Sequence, residues 1–175
     1  MSGAPGHPEG GKARPESVEE RLERIERRLA LMDLIASYGP SVDSGSAEWT
    51  GSLWADEGIY DFGDARLDGR QAVEAMVAGP NHQGLIRHGA AHLLGPPSVR
   101  IDGDRAVVVH HSQVVLQRDG KYEIWRVSAN RWELSWVDGA WRVDRRRAYL
   151  LDGQERARAL LRRDDPSVDD EGGVQ

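Results

Sequence analysis

Cysteine is absent from the 175-residue chain. That excludes disulfides, thiolate nucleophiles and Cys-ligated zinc or iron–sulfur centres, and it fits a reducing compartment. Phenylalanine occurs once against six tryptophans, so the expected apolar walls are flat and built from larger rings. A basic stripe is missing as well. The formal net charge is −6, and Arg145, Arg146 and Arg147 alternate in direction along an expected strand, so no nucleic-acid partner is expected. No apolar run approaches the roughly 20 residues that span a bilayer. Met1 to Pro15 is rich in Gly and Pro and lacks the apolar segment of a secretory signal. The expectation is a soluble, cytoplasmic protein with neither a membrane nor a nucleic-acid partner.

What is present is organised as one domain between two polar ends. Residues 1–16 lack the apolar content to order themselves and read as a disordered arm; residues 162–175 read as an acidic disordered tail. Ser17 and Glu20 form a capping-box pattern that opens a helix. Val18, Leu22, Ile25, Leu29, Met32 and Ala36 follow at spacings of three and four, which predicts one buried stripe. Gly39-Pro40 is expected to kink or break this helix. Ser46–Trp54 reads as a second short helix, Gly58–Phe62 as a strand and Arg70–Ala78 as a third helix closed by Gly79-Pro80. Asn81–Leu94 has no clear pattern. From Pro97 onward Asp102-Gly103, Asp119-Gly120 and Asp138-Gly139 separate long apolar strands, the signature of an antiparallel meander. Asp152–Arg163 is compatible with a final helix. Helices before a twisted meander imply an α+β fold with the helices on one face of the sheet.

The order and spacing of several segments resemble the nuclear transport factor 2-like superfamily, in its SnoaL-like branch, over about residues 17–161. They are Ser37-Tyr38 to Val42-Asp43, Trp49, Leu53-Trp54, Gly58-Ile59-Tyr60-Asp61, Gly69-Arg70, Arg87-His88, Ala91-His92 before Val99, Val127–Trp132 and Asp138–Val143. That branch includes polyketide cyclases and relatives of scytalone dehydratase. The resemblance implies a cone of three to four helices on a strongly curved, mostly antiparallel sheet that encloses a pocket for a small hydrophobic molecule. It implies no cofactor and no metal. Asp43 stands where those dehydratases carry a pocket aspartate, His92 where they carry a pocket histidine, and Ser128 and Asn130 match their pair of polar pocket residues. Val42 replaces a tyrosine of that pattern. Phe62 replaces a second tyrosine, with Tyr60 two residues away on the same strand face. A second histidine is absent, His110 and His111 lying several residues earlier.

Asp43, His92 and Tyr60 are the candidate catalytic residues. A carboxylate bonded to one imidazole nitrogen fixes the tautomer and raises the basicity of the other. Against this, Asp43 also suits a helix-end cap or an Asx turn with Ser44-Gly45, and His92 suits a satisfied core histidine beside Leu93 and Leu94. Tyr38, Phe62, His110, Arg126, Ser128, Asn130 and Trp132 are the candidate substrate-binding residues, because Arg126, Ser128, Asn130, Trp132, Leu134 and Trp136 alternate onto one face of a strand. The opposite row holds Trp125, Val127, Ala129, Arg131 and Glu133, with Trp125 exposed. His88 and His92 would share a face if their segment were helical, but zinc needs at least a third protein ligand. The reading is an acid–base dehydratase, cyclase or isomerase for a polyketide-, phenol- or steroid-like metabolite. The alternatives are a non-catalytic binding module and a structural subunit. Self-association as a homodimer or homotrimer is expected through the back of the sheet.

Overall fold

Ser17 starts the first helix as the sequence predicts: its Oγ accepts from the Glu20 backbone and the Glu20 carboxylate accepts from the Ser17 backbone. The structure, a computed structural model, describes residues 14–162. Most of the expected arm and tail lies outside the described residues. Helix α1 (Val18–Asp43) is followed by α2 (Ala47–Ser52), β1 (Trp54–Asp61), β2 (Arg66–Asp68), α3 (Arg70–Ala78) and α4 (Pro80–Arg87). Then come β3 (Ala90–Leu94), β4 (Ser98–Asp102), β5 (Arg105–Arg118), β6 (Lys121–Val137), β7 (Ala140–Leu150) and α5 (Glu155–Leu160). The strands form one open mixed sheet in the order β2-β1-β7-β6-β5-β3, with β4 also paired to β5. The β1–β7 pair is parallel and the others are antiparallel. No helix among the described residues is long and apolar enough to cross a membrane.

The meander follows from its turns. Asp119 and Asp138 adopt φ of 50° and 51°, and the glycines after them φ of 78° and 76°. Two successive left-handed residues match the twist of the flanking strands, and Asp-Gly is the pair that tolerates them. The long β5, β6 and β7 ladders that result form the main wall of the fold.

Helix α1 corrects two expectations. It runs through Gly39-Pro40 to Asp43, because this turn is held by packing: Gly39 lies so close to β3 that a Cβ there would meet the His92 carbonyl at 2.5 Å. The stripe expected to be buried is exposed: Val18 is 72% accessible, Leu22 54% and Leu29 55%. The buried side is Leu31, Leu34, Ile35, Tyr38 and Val42. Both rows have helical periodicity, and periodicity by itself does not say which row meets the sheet.

The core joins that buried side of α1 to Trp54, Val73, Val77, Val99, Val108, Trp132, Leu134, Trp141 and Val143. Helix α5 covers part of the opposite face of the sheet, where Ala157 and Leu160 pack on Ala129. Ala129 and Arg131 are therefore buried although their row faces away from the main core. Trp125 is exposed as expected. The unassigned stretch resolves into α4 and β3, which ends the notion of a shared helical face: His88 caps α4 and His92 lies on β3.

Candidate functional site

The last turn of α1 crosses β3, and Asp43 grips His92 there at two points. The His92 Nδ1–H donates to Asp43 Oδ1 at 2.6 Å and the His92 backbone N–H donates to Oδ2 at 2.7 Å. An ionised carboxylate only accepts, so Nδ1 carries the proton and Nε2 of the neutral ring presents its lone pair. Both side chains are partly accessible, 25% for Asp43 and 18% for His92. His82, from α4, stands with its ring 5.9 Å from that of His92 and donates through Nε2 to the Val42 carbonyl at 2.7 Å.

A cavity of about 380 Å³ is lined by Tyr38, Tyr60, Phe62, Met76, Pro80 and His82, among others. Asp43 and His92 are not among its lining residues, and the His92 ring stands behind two that are, 6.4 Å from the Tyr38 ring and 5.9 Å from the His82 ring. Tyr38 reaches the cavity from α1, Tyr60 from β1 and His82 from α4. Its size and apolar lining suit a small organic molecule. A larger groove of about 760 Å³ between α4 and the β5–β6 turn is bordered by Leu85, His88, Gln117 and Asp119. The two share Pro80 and Asn81, but Tyr38 and His82, the ring neighbours of His92, line only the smaller cavity, which is therefore the candidate site.

Beneath the cavity the sheet supplies a buried cation. The Arg146 guanidinium carbon lies 3.9 Å from the Tyr38 ring centroid, 4.5 Å from that of Tyr60 and 4.2 Å from that of Trp132. Its Nε and Nη2 donate to Asn130 Oδ1 at 3.2 and 2.9 Å. Nη1 is buried with no hydrogen-bond partner among the described residues, and Trp54 Nε1 is in the same condition. No carboxylate pairs with Arg146 among the described residues. Cation–π contact offsets part of the cost of burying such a charge. Burial pushes the Tyr38 phenol up, Arg146 opposing and Tyr60 adding to the rise, so Tyr38 remains a proton donor.

The expected binding residues divide in two. Asn130, 0% accessible, is held by Arg146 and donates through Nδ2 to Ser112 Oγ at 2.8 Å. Ser128 is buried next along its row. Trp132 donates through Nε1 to His110 Nε2 at 2.7 Å, and His110 Nδ1 then donates to the His111 carbonyl at 2.8 Å. With both nitrogens occupied, His110 braces Trp132, and burial lowers its pKa to about 4. Arg126 stands apart from the cavity, its guanidinium 5.1 Å over the exposed Trp125 ring.

Arg146, His82 and Met76 are not among the site residues that the sequence suggests. Arg146 is inside because of a bulge: Glu133 pairs with Arg145 but Leu134 pairs with Val143, so Asp144 is the extra residue. Val143 and Arg146, three apart, thereby both face the core, where strict alternation would put Arg145 and Arg147 with Val143. His82 lies inside the stretch that carries no clear pattern and Met76 in the helix before it, and no motif singles them out.

Comparison with known proteins bears on this arrangement. Residues 23–147 match the model of a SnoaL-like domain. A comparison with curated proteins found no match. Among solved structures, the chain is similar to an NTF2-like protein with a cystatin-like fold from Novosphingobium aromaticivorans. The two share 41% identity with a TM-score of 0.80, over 83% of this chain and 97% of that one. A protein of unknown function from Mycobacterium tuberculosis is 24% identical with a TM-score of 0.66, over 73% of this chain and 77% of that one. A protein named provisionally as a scytalone dehydratase, also from N. aromaticivorans, is 16% identical with a TM-score of 0.63, over 74% of this chain and 87% of that one. The last two likenesses concern the fold.

Proposed function

The chain belongs to the SnoaL-like domain family, and from that premise we propose that it is an acid–base enzyme of the dehydratase, cyclase or isomerase type. Its substrate is a small hydrophobic polyketide-, phenol- or steroid-like molecule. The observation that carries the reading is the double clamp of Asp43 on His92, whose ring lies 6.4 and 5.9 Å from the rings of the cavity-lining Tyr38 and His82.

His92 Nε2 takes a proton from an acidic C–H or O–H of the bound molecule. The imidazolium so formed is stabilised by the Asp43 carboxylate and returns the proton at a second atom or to a departing hydroxyl. Charge left on a substrate oxygen needs donors fixed in advance in a water-poor site. Tyr60 and Tyr38 line the cavity, and the Arg146 guanidinium is packed against both rings. Asn130 holds Arg146 in place, which gives the buried polar row a purpose beyond packing.

Proton exchange is the direct test. A panel of hydroxylated polycyclic ketones and naphthols is incubated with the protein in D2O, and deuterium uptake is followed by NMR. Wild type is expected to accelerate exchange, and Asp43→Asn and His92→Ala to lose that acceleration. Variants as fast as wild type would remove the assignment. Ligand binding with exchange no faster than background would place the chain among non-catalytic binding modules of the same fold.

A further inference from the structure

Helix α1 carries an apolar stripe that the described residues leave uncovered. Val18, Leu22, Ile25, Leu29, Met32 and Ala36 recur with the alternating spacing 4-3-4-3-4, a heptad seam. All six are exposed. At roughly 100° per residue they lie on the side of the helix opposite Leu31, Leu34, Ile35, Tyr38 and Val42, which pack on the sheet. The first turns of α1 have almost no packing of their own: from Val18 to Ala30 every residue except the half-buried Arg27 is exposed. A helix so exposed over three turns is marginal in water unless a partner covers its apolar side.

The charges beside the seam identify the partner. With Leu22, Leu29 and Ala36 at the a positions and Val18, Ile25 and Met32 at d, Arg21 and Arg28 fall at g, and Glu19, Glu26 and Asp33 at e. These residues are all exposed, Arg28 while also donating to the Val99 carbonyl. In a parallel pair of identical helices each g residue meets the e residue five positions later on its neighbour. Arg21 then faces Glu26 of the other copy and Arg28 faces Asp33. An antiparallel pair would set arginine against arginine and carboxylate against carboxylate.

We propose that α1 is a self-association helix, joining copies of this chain through a parallel, in-register coiled coil along Val18–Ala36. Leucine at a with β-branched residues at d favours three or four strands over two. The assembly buries the stripe and leaves the cavity beside Tyr38 on the other side of the helix. It does not depend on the catalytic reading of that cavity.

Light scattering on the full chain at tens of micromolar is expected to give three or four chain masses. A Leu22→Glu/Leu29→Glu variant is expected to run as one chain with an unchanged near-UV spectrum. Arg21→Glu/Arg28→Glu is expected to weaken association by about tenfold or more through like-charge contact. Adding Glu26→Arg and Asp33→Arg restores it by reversing both columns, and this series decides the matter even if the leucine variant fails to fold. The absence of cysteine makes Val18→Cys a clean reporter. Mild oxidation is expected to cross-link it efficiently in parallel register, whereas an antiparallel pair would hold the two sulfurs ~27 Å apart at 1.5 Å per residue. A wild type of one chain mass overturns the proposal. So does an oligomer indifferent to the stripe and charge variants, which would point to another surface. A two-chain particle overturns the strand number, and failure to cross-link overturns the parallel arrangement.

Discussion

Asp43 and His92, forty-nine residues apart in the chain, are joined by two hydrogen bonds that use both carboxylate oxygens, one to the imidazole and one to the backbone of the same residue. A side chain held this way cannot rotate its ring without losing a charge-assisted bond. Asp43→Asn keeps the shape but can supply only one acceptor for the two donors. It is expected to lower turnover by ~10²–10⁴ and stability by about 1–3 kcal/mol. Steady-state kinetics and urea denaturation check the two effects separately.

Arg146 is a cation enclosed by three aromatic faces without a carboxylate. If it is kept to meet a ligand oxygen, Arg146→Met removes that contact. Relief of the buried charge favours the variant, but Asn130 Oδ1 loses both of its donors, so stability is expected to fall by no more than about 1–3 kcal/mol. Ligand affinity is expected to fall about tenfold or more, the loss of one charge-assisted bond. Calorimetric titration and thermal unfolding read both quantities, and an undiminished affinity would remove Arg146 from the site.

His110 is expected to make stability depend on pH. Burial, with Arg146 and His111 acting the same way, lowers its folded pKa to about 4 from an ordinary 6.5, the His111 carbonyl opposing. The unfolded chain therefore binds the extra proton first. Between about pH 6.5 and pH 4 stability falls with falling pH, by up to about 3 kcal/mol. Above pH 6.5 the residue is neutral in both states and contributes no slope. Denaturant midpoints of wild type and His110→Gln across this range test it: the variant is less stable at pH 7 and flatter below.

Gly39→Ala probes the contact that brings the dyad together. A Cβ at this position meets the His92 carbonyl oxygen, a backbone atom that cannot step aside. The substitution improves helix propensity by about 1 kcal/mol, yet overpacking is expected to outweigh it and cost ~1–3 kcal/mol overall. Activity falls with it, because α1 and β3 move apart at Asp43. A variant more stable than wild type would contradict the close approach.

Much of the sheet was legible because its signals are local. Asp-Gly at three positions dictates reversals wherever the flanking strands lie, and the capping box at Ser17 sets a helix start on its own chemistry. Asp43 and His92 were identified from a resemblance in order and spacing, and their hydrogen bonds appear once α1 crosses β3. The errors are equally specific. Gly39-Pro40 reads as a break, but the cost of a missing helical N–H is overridden by packing against β3. Ala129 and Arg131 are assigned only to the row opposite the core-facing one, and nothing in the alternation of β6 announces that α5 folds back over them.

The amino-acid order by itself determined where the meander turns, where its long strands run, and that α1 is a helix of apolar periodicity starting at Ser17. Those properties rest on φ preferences and side-chain periods within a few residues. Which row of α1 meets the sheet, and which of three consecutive arginines enters the core, was decided by tertiary structure. The first depends on where α1 lands against β3, and the second on one extra residue at Asp144 in the β6–β7 register. Both are long-range matters of packing and parity, where a shift of one position exchanges the inside and the outside of the protein.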